Sequence, residues 1–457
     1  MGHIKTYATD RLGTQSIVRL LFDFSIPAII GMLVNAFYNI VDRIYVGQGV
    51  DPLGIAGIAV SMPVMMAMMA SSMLIGIGAN ALFSIRLGEG RRDEVEKIMG
   101  HAFALLFLVP ALVIAVCFIF IDKILIDLIG ASEAVFPYAK TYLRIILCGG
   151  VFSAMGPGIN HFIRSDGHPR TSMFTQILGA VINIILDPIF IFGFDMGIAG
   201  AAWATIISQF ISFLWVLLYF NSRWTALRFR LRAMRLELKL SCRIMAIGFA
   251  PFAMQLAIGV VNGILNKSLA LYGGDMAVTA MGIVFSILIV IIMPLQGLNQ
   301  GVQPIIGYNY GAKSYARVKQ AYRLALISAT VFVVLFGFIL MQAIPGVFIA
   351  AFRNEEGPLM DLSIRALRIS TLMMPVVGFQ IITSNFFQAI GKAVQGTLLS
   401  LSRQILFFIP IVLVLPRFIG LDGVFYTLPI ADFCAALLSA CVMRGEWKKL
   451  GRAATGG

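Results

Sequence analysis

The chain has 457 residues, of which 59% are hydrophobic and only 12% are charged, and its mean hydropathy is +0.90. A soluble protein would carry about twice that charged fraction, so the composition indicates a polytopic membrane protein. Its apolar runs are long and continuous, which excludes a transmembrane β-barrel with alternating segments of about ten residues. The net charge of +13 does not indicate a nucleic-acid partner, because the basic residues fall in alternate loops.

Twelve membrane-spanning helices of roughly 20 residues each fit in this length. The basic loops follow the even-numbered spans, so the positive-inside rule predicts a multi-pass protein of the cytoplasmic (inner) membrane with both termini in the cytoplasm. The spans are predicted at about 25–47, 53–84, 99–121, 138–162, 171–193, 197–220, 244–272, 279–309, 318–345, 362–389, 394–416 and 421–443.

Span one contains an acid inside an apolar run. Asn39 and Tyr38 precede Asp42 by three and four residues, and these spacings place all three side chains on one helical face. A carboxylate at membrane depth costs about 2.5–3.5 kcal/mol on insertion scales, so a functional role is the first interpretation. The alternative is that Asp42 lies near a helix end and reaches water, paired with Arg43.

Span five contains a second acid. Asn183 and Asp187 are four residues apart, on one face, and Pro188 leaves a backbone carbonyl free nearby. Asn160 in span four and Thr205 in span six add further oxygen atoms. Two carboxylates with amide and hydroxyl oxygens form a hard donor set, which suits a proton or Na⁺ and does not suit a soft metal.

A basic stretch divides the chain. Residues 222–243 hold seven Arg and Lys residues against Glu237 as the one acid, which predicts a cytoplasmic linker. The predicted organisation is therefore a six-helix lobe at 1–221, the linker at 222–243, a second six-helix lobe at 244–443 and a basic cytoplasmic tail at 444–457.

The two halves resemble each other at a nearly constant offset along the chain. An even number of spans per half gives both halves one orientation, so the repeat axis lies along the membrane normal, as in transporters that rock two lobes. Asp42 corresponds to Asn266, and Asp187 falls near Ile411. Because the second half lacks the acids, we expect ion coupling in the first lobe. The matching segments include 57–61 with 282–286, Gly167 with Gly391, and Gly197 and Gly200 with Gly420 and Gly423.

The second half offers mainly amides at membrane depth, together with one deep acid. Asp432 lies in the middle of span twelve and is either a cation contact or a hydrogen-bonded packing acid. Lys267 is the only clear basic residue at depth besides Arg43, which favours cationic substrates. The candidate lining of a substrate cleft is Gln255, Asn262, Gln296, Gln300 and Asp432.

At these residues the chain resembles the multidrug and toxic compound extrusion (MATE) family, in its MepA-like bacterial branch. The resemblance rests on Asp42 with 45–47, on 164–167 and 183–188, and on 300–304 with 307–312. It implies two pseudo-symmetric six-helix bundles around a V-shaped cleft, exporting cationic and amphipathic compounds by H⁺ or Na⁺ antiport. It also implies a cation site, which could hold Na⁺, at Asp42, Asn183, Asp187 and Thr205. A polar network of Tyr38, Asn39, Tyr142 and Asn160 would surround this site.

The function predicted is secondary active multidrug efflux by alternating access, with no cofactor beyond the coupling ion. The expected partners are small cationic or amphipathic molecules and the lipid bilayer, and the chain is expected to be a monomer. One alternative is a lipid-linked precursor flippase, which would need basic residues in its cleft. A second is an ion channel, which would show flux without exchange. No nucleophile–base or metal constellation indicates an enzyme.

Overall fold

A computed structural model describes residues 10–222, 225, 234, 236–352 and 357–455. Nearly all of these residues are helical, and no strand occurs among them. Much of the predicted basic linker at 222–243 lies outside the described residues, including Arg223, Arg228, Arg230, Arg232 and Arg235.

The first lobe contains six long helices, spans one to six. Their starts carry local signals: Asp51 accepts a hydrogen bond from the Leu53 backbone N–H at 2.8 Å, and a proline follows the cap at the first helical position. Short helices Asp10–Thr14 and Ile121–Lys123 accompany the spans. The six spans are Ile17–Gly49, Pro52–Gly88, Arg92–Ile119, Phe136–Ser165, Pro169–Gly193 and Gly197–Asn221.

The second lobe begins with a helical stretch far longer than a membrane is thick. Leu238–Gly311 has 74 residues, about 110 Å at 1.5 Å per residue, against a hydrocarbon core of about 30 Å. Gly274 breaks it with φ 65° and ψ −165°. It is therefore two spans, seven (238–273) and eight (275–311).

Four further spans complete the second lobe. Span ten is bent by 52° between its two helices, and short helix Pro345–Ala350 precedes it. With these spans, the described part of the chain has twelve, and the predicted all-α, twelve-span membrane fold is confirmed. The four are Tyr315–Ala343, Pro358–Ser370 with Met374–Ala389, Ala393–Ile419, and Leu421–Arg452.

The internal repeat is visible in the turns as well as in the helix order. Of the first-lobe turns that contain a residue with positive φ, three have a counterpart at the corresponding place in the second lobe. The same backbone path therefore recurs in both halves. The pairs are Gly90 (φ 76°) with Lys313 (φ 56°), Gly167 (φ 91°) with Gly391 (φ 75°), and Gly197 (φ 52°) with Gly420 (φ 61°).

The lobes pack closely at one end of the bundle. We call this the basic end; it holds the turns at 89–91, 166–168, 312–314 and 390–392. Spans two and seven approach there through glycines: a Cβ atom on Gly78 would lie 2.1 Å from the Ile244 carbonyl oxygen, and one on Gly248 would lie 1.7 Å from the Leu74 oxygen. Only glycine permits such contact, so the packing closes the basic end.

Each lobe also receives the start of the other lobe's first helix. Ile17, Leu20 and Phe24 of span one pack into the second lobe's apolar core. Ile244 and Ile247 of span seven pack into the first lobe's core. Burying apolar side chains across the boundary stabilises the closed arrangement at the basic end.

Candidate functional site

Two carboxylates meet inside the first lobe. Asp187, near the end of span five, is 0% exposed. Asp42, on span one, is half-buried, and the two carboxyl groups are close enough to share a hydrogen bond. Asn183 Nδ2 donates to Asp187 Oδ1 at 3.4 Å. We call Asp42 and Asp187 the acid pair; the structure brings together the two acids that the sequence predicted as partners.

Two tyrosines flank the acid pair. Tyr38 lies one turn before Asp42 on span one, and Tyr142 is a buried residue of span four. Both phenols are near enough to interact electrostatically with both carboxylates. Phenol groups can donate hydrogen bonds to a carboxylate without adding charge. They can therefore hold the two acids in place while the negative charge of the carboxylates stays available to a cation.

Two oxygen atoms at this site have no hydrogen-bond partner among the described residues: Asp187 Oδ2 and Asn183 Oδ1. Leaving buried polar atoms unsatisfied costs about 1–3 kcal/mol each, so the site is incomplete by itself. A proton on the acid pair or a Na⁺ ion between these oxygens would complete it. Among the described residues no cluster of three or more His, Cys, Asp or Glu side chains could hold a metal, and the oxygen donors fit a hard cation.

Other predicted members of the site have contacts of their own. The Thr205 hydroxyl donates to the Ala201 carbonyl in the same helix at 3.0 Å. Asn39 is exposed, and its amide donates to the Asn35 carbonyl at 2.6 Å. The face-sharing of Asn39 with Asp42 therefore does not bring its amide to the acids in this conformation.

Asn160 belongs to a different polar cluster, nearer the basic end. Its Nδ2 donates to the Ser172 carbonyl at 3.1 Å. Arg164 Nη2 donates to Ser172 Oγ at 3.2 Å, and Arg164 Nη1 crosses to the second lobe, where Gln300 Oε1 accepts at 2.8 Å. Gln300, predicted in the substrate cleft, is thus part of a contact between lobes. Arg164 stood in the 164–167 motif, but local sequence does not reveal a partner in the other half of the chain.

The remaining cleft candidates differ in exposure. Gln255 and Gln296 are half-buried, and Asn262 is exposed. Asp432 is only 4% exposed and forms an ion pair with Arg403, whose Nε lies 2.5 Å from Asp432 Oδ1. Its negative charge is therefore already compensated.

The prediction that Lys267 and Arg43 are the only clear basic residues at membrane depth was wrong. Arg403 lies ten residues after Ala393, where span eleven begins. The sequence signal was available, since Arg403 interrupts a run of apolar residues in the predicted span. Asp432, an acid on the next span, lowers the energetic cost of burying this guanidinium. The hydropathy of a single helix does not reveal such a partner.

Comparison with known proteins gives consistent results along the whole chain. The MatE family model matches residues 27–189 and 250–414. The two matched segments begin and end at equivalent places in the two halves, in agreement with the internal repeat. Together they cover more than half of the chain, and they include both residues of the acid pair.

Similar proteins include multidrug export protein MepA of Staphylococcus saprophyticus, 26% identical over 94% of each chain, and that of Staphylococcus haemolyticus, 28% identical over 94% of each. Among solved structures, an outward-facing MATE family transporter of the MOP superfamily has a TM-score of 0.90 at 23% identity, covering 96% of this chain and 98% of its own. The MATE multidrug transporter DinF-BH in complex with rhodamine 6G has a TM-score of 0.87 at 35% identity, covering 95% and 97%.

Proposed function

The chain belongs to the MatE family, and from this membership and the acid pair we propose that it exports multiple amphipathic cations by H⁺ or Na⁺ antiport. The observation that supports coupling is the pair of unsatisfied buried oxygens, Asp187 Oδ2 and Asn183 Oδ1. These oxygens lie at the acid pair of the first lobe, and the second lobe has no acids at the corresponding positions. A cation that binds there gains ligands, and the site loses an unfavourable charge.

The proposed cycle uses the closure at the basic end, which we assign to the cytoplasmic side together with both termini. In this conformation a cation reaches the acid pair from the opposite side. Its binding removes the repulsion between Asp42 and Asp187 and lets span one repack against span five, which expels substrate. Opening then requires separation of the lobes where Gly78, Gly248 and Arg164 now hold them. Cation release to the cytoplasm restores the charge that attracts the next substrate.

Thr205 takes part in this proposal as an additional oxygen ligand. Its hydroxyl is a donor to Ala201 in the present conformation, and its lone pairs stay available to a cation. Tyr38 and Tyr142 would keep the carboxylates in place during the exchange. These assignments predict that the first lobe alone determines which ion drives transport.

Substrate class follows from charge at the acid pair and from the relatives. The relatives named as multidrug export proteins and the DinF-BH complex with rhodamine 6G support an amphipathic organic cation as the cargo. Asn262 is exposed, and Gln255 and Gln296 are half-buried; in this proposal they line the second lobe's side of the pathway. Amides can hydrogen-bond varied substrates without imposing charge, which suits a broad range.

The test is export of a fluorescent cation from proteoliposomes under an imposed Na⁺ or pH gradient. We expect gradient-driven export by the parent protein, and export at the level of protein-free liposomes for Asp42→Asn and Asp187→Asn. Asp122→Asn is the matched control, because Asp122 is 56% exposed and pairs with Lys140 away from the site. Undiminished gradient-driven export by both acid-pair variants would show that coupling lies elsewhere.

A further inference from the structure

The ion pair in the second lobe lies well inside two membrane-spanning helices. Arg403 is ten residues from the start of span eleven, and Asp432 is eleven residues from the start of span twelve. At 1.5 Å per residue each lies about 15 Å from the start of its helix, and the other end of each helix is farther away. Lipid headgroups at the membrane surfaces are therefore out of reach of this pair.

The pairing uses only part of the guanidinium. Asp432 is contacted by Nε, and neither Nη atom of Arg403 donates a hydrogen bond to any described residue. The acid is sealed, with 5% of its side chain exposed, whereas the Arg403 side chain is 16% exposed. An arginine carries five N–H donors, four of them on the Nη atoms. A guanidinium face without partners is costly against lipid, so we expect it to lie toward the interior of the helix bundle.

The fold does not require a charged pair at this contact. In the alignment of the two halves, Arg403 corresponds to Gly179 and Asp432 to Ser208. In the first lobe Gly179 packs against span six with small groups only: a Cβ there would lie 2.5 Å from Ser212 Oγ and 3.9 Å from the Ser208 carbonyl oxygen. The same helix–helix contact is thus made without charge in one lobe and with a buried ion pair in the other.

The helix also changes its hydrogen-bond pattern at Arg403, as it does at three other places among the described residues. Span eleven changes from α-helical to π-helical hydrogen bonding over Ser402–Phe408, immediately at the arginine. Such wide turns often occur at functional sites, where they redirect a side chain from the regular helical position. The turn alone does not distinguish Arg403, since others exist in the chain, but here it coincides with Nη atoms that have no partner among the described residues.

We propose that Arg403 binds the carboxylate of amphipathic substrates, so that the second lobe holds an anionic group while the first lobe meets the cationic one. Asp432 positions the guanidinium through Nε, and the two Nη atoms remain to form the two parallel hydrogen bonds that a carboxylate accepts. This extends the proposed function from organic cations to zwitterionic amphipaths, and it rests on that function only in assuming that both lobes line one substrate pathway.

The test compares two dyes that differ in one group. Rhodamine 6G is an ester with a single positive charge, and rhodamine 19 is its free acid, which adds a carboxylate to the same cationic ring system. Binding of each is measured by fluorescence anisotropy to the purified full chain in nanodiscs of zwitterionic lipid. The Arg403→Gln, Asp432→Asn double variant removes the pair without leaving either charge unpartnered.

We expect the double variant to bind rhodamine 19 about ten- to hundredfold more weakly than the parent, and rhodamine 6G within about twofold. Arg403→Lys keeps the charge but not the fork and should lose most of the same selectivity. Arg417→Gln, an exposed arginine at the far end of span eleven, is the control and should change neither dye.

The proposal is overturned if the ratio of the two dissociation constants is the same in the parent and the double variant, or if the parent does not bind rhodamine 19. A purely structural ion pair would lower thermal stability and leave that ratio unchanged. Failure of the proposed function appears separately, as an absence of gradient-driven rhodamine 6G export by the parent. Binding selectivity in nanodiscs needs no gradient and distinguishes the two.

Discussion

Replacing Asp187 by asparagine should abolish the stabilisation that the protein gains from its coupling cation. In the parent, Asp187 Oδ2 and Asn183 Oδ1 are buried without partners, at a cost of about 1–3 kcal/mol each, so a cation that binds both has about 2–6 kcal/mol to recover. In Asp187→Asn the new amide can donate to Asn183 Oδ1 and complete the site without a cation. At one hundred times the dissociation constant, binding stabilises the parent by about 2.7 kcal/mol, and the variant should gain nothing.

The assay is thermal unfolding in detergent at constant ionic strength. Na⁺ is exchanged for choline at fixed pH, and in a second series the pH is lowered without Na⁺. The parent should be stabilised in one of the two series and Asp187→Asn in neither, whereas Asp122→Asn should behave as the parent. If Asp187→Asn keeps the full stabilisation by the same cation, the cation does not bind at the acid pair and the reasoning from unsatisfied oxygens is refuted.

Three further predictions concern the lobes. Gly248→Ala should prevent closure of the basic end, since its Cβ would lie 1.7 Å from the Leu74 carbonyl oxygen; spin labels on the two lobes at that end should move apart, and an unchanged distance distribution would contradict this. Arg164→Gln removes the 2.8 Å hydrogen bond to Gln300. It should raise the rate at which a membrane-impermeant maleimide labels cysteines at the basic end. Equal labelling rates in the parent and the variant would argue against the contact. Gly274→Val should lower the free energy of unfolding by about 1–3 kcal/mol, because φ 65° with ψ −165° is a backbone conformation that essentially only glycine adopts. Denaturant titration checks this, and an unchanged midpoint would contradict it.

Gly282→Ala is the matched control for Gly248→Ala. Nothing lies within 4 Å of a Cβ built on Gly282, which is on the same long helical stretch. It should alter neither the distances between lobes nor transport. An equal effect of both substitutions would mean that helix propensity, and not contact between lobes, explains the Gly248 result.

The fold follows closely from sequence because its signals are local. Hydropathy runs locate the spans, and the predicted break between spans seven and eight, at 272–279, contains Gly274, which interrupts the helix. Basic loops and the constant offset between the halves give the two-lobe order. The sequence does not show that the start of span one packs against the second lobe with Leu20 and Phe24. That packing joins residues from opposite halves of the chain, and no local pattern reports it.

The site was predicted in part. A costly acid in each of two helices led to Asp42 and Asp187 as partners, and their carboxyl groups do meet. Residue spacing shows which side chains share a helical face, however, and does not show which groups those side chains contact. Asn39 therefore bonds to its own helix and Asn160 to Ser172. For the same reason the sequence did not identify Arg403 as a buried residue, because its ion-pair partner, Asp432, is on the next span.

The most direct test of cation-coupled export measures both fluxes in the same proteoliposomes. Dye leaving the vesicles and Na⁺ or H⁺ entering them are recorded together after a gradient is imposed. We predict that the two fluxes run in opposite directions with a constant ratio, and that both stop when Asp42 and Asp187 are replaced by asparagine. Dye export that continues at full rate while no cation crosses would contradict the central claim.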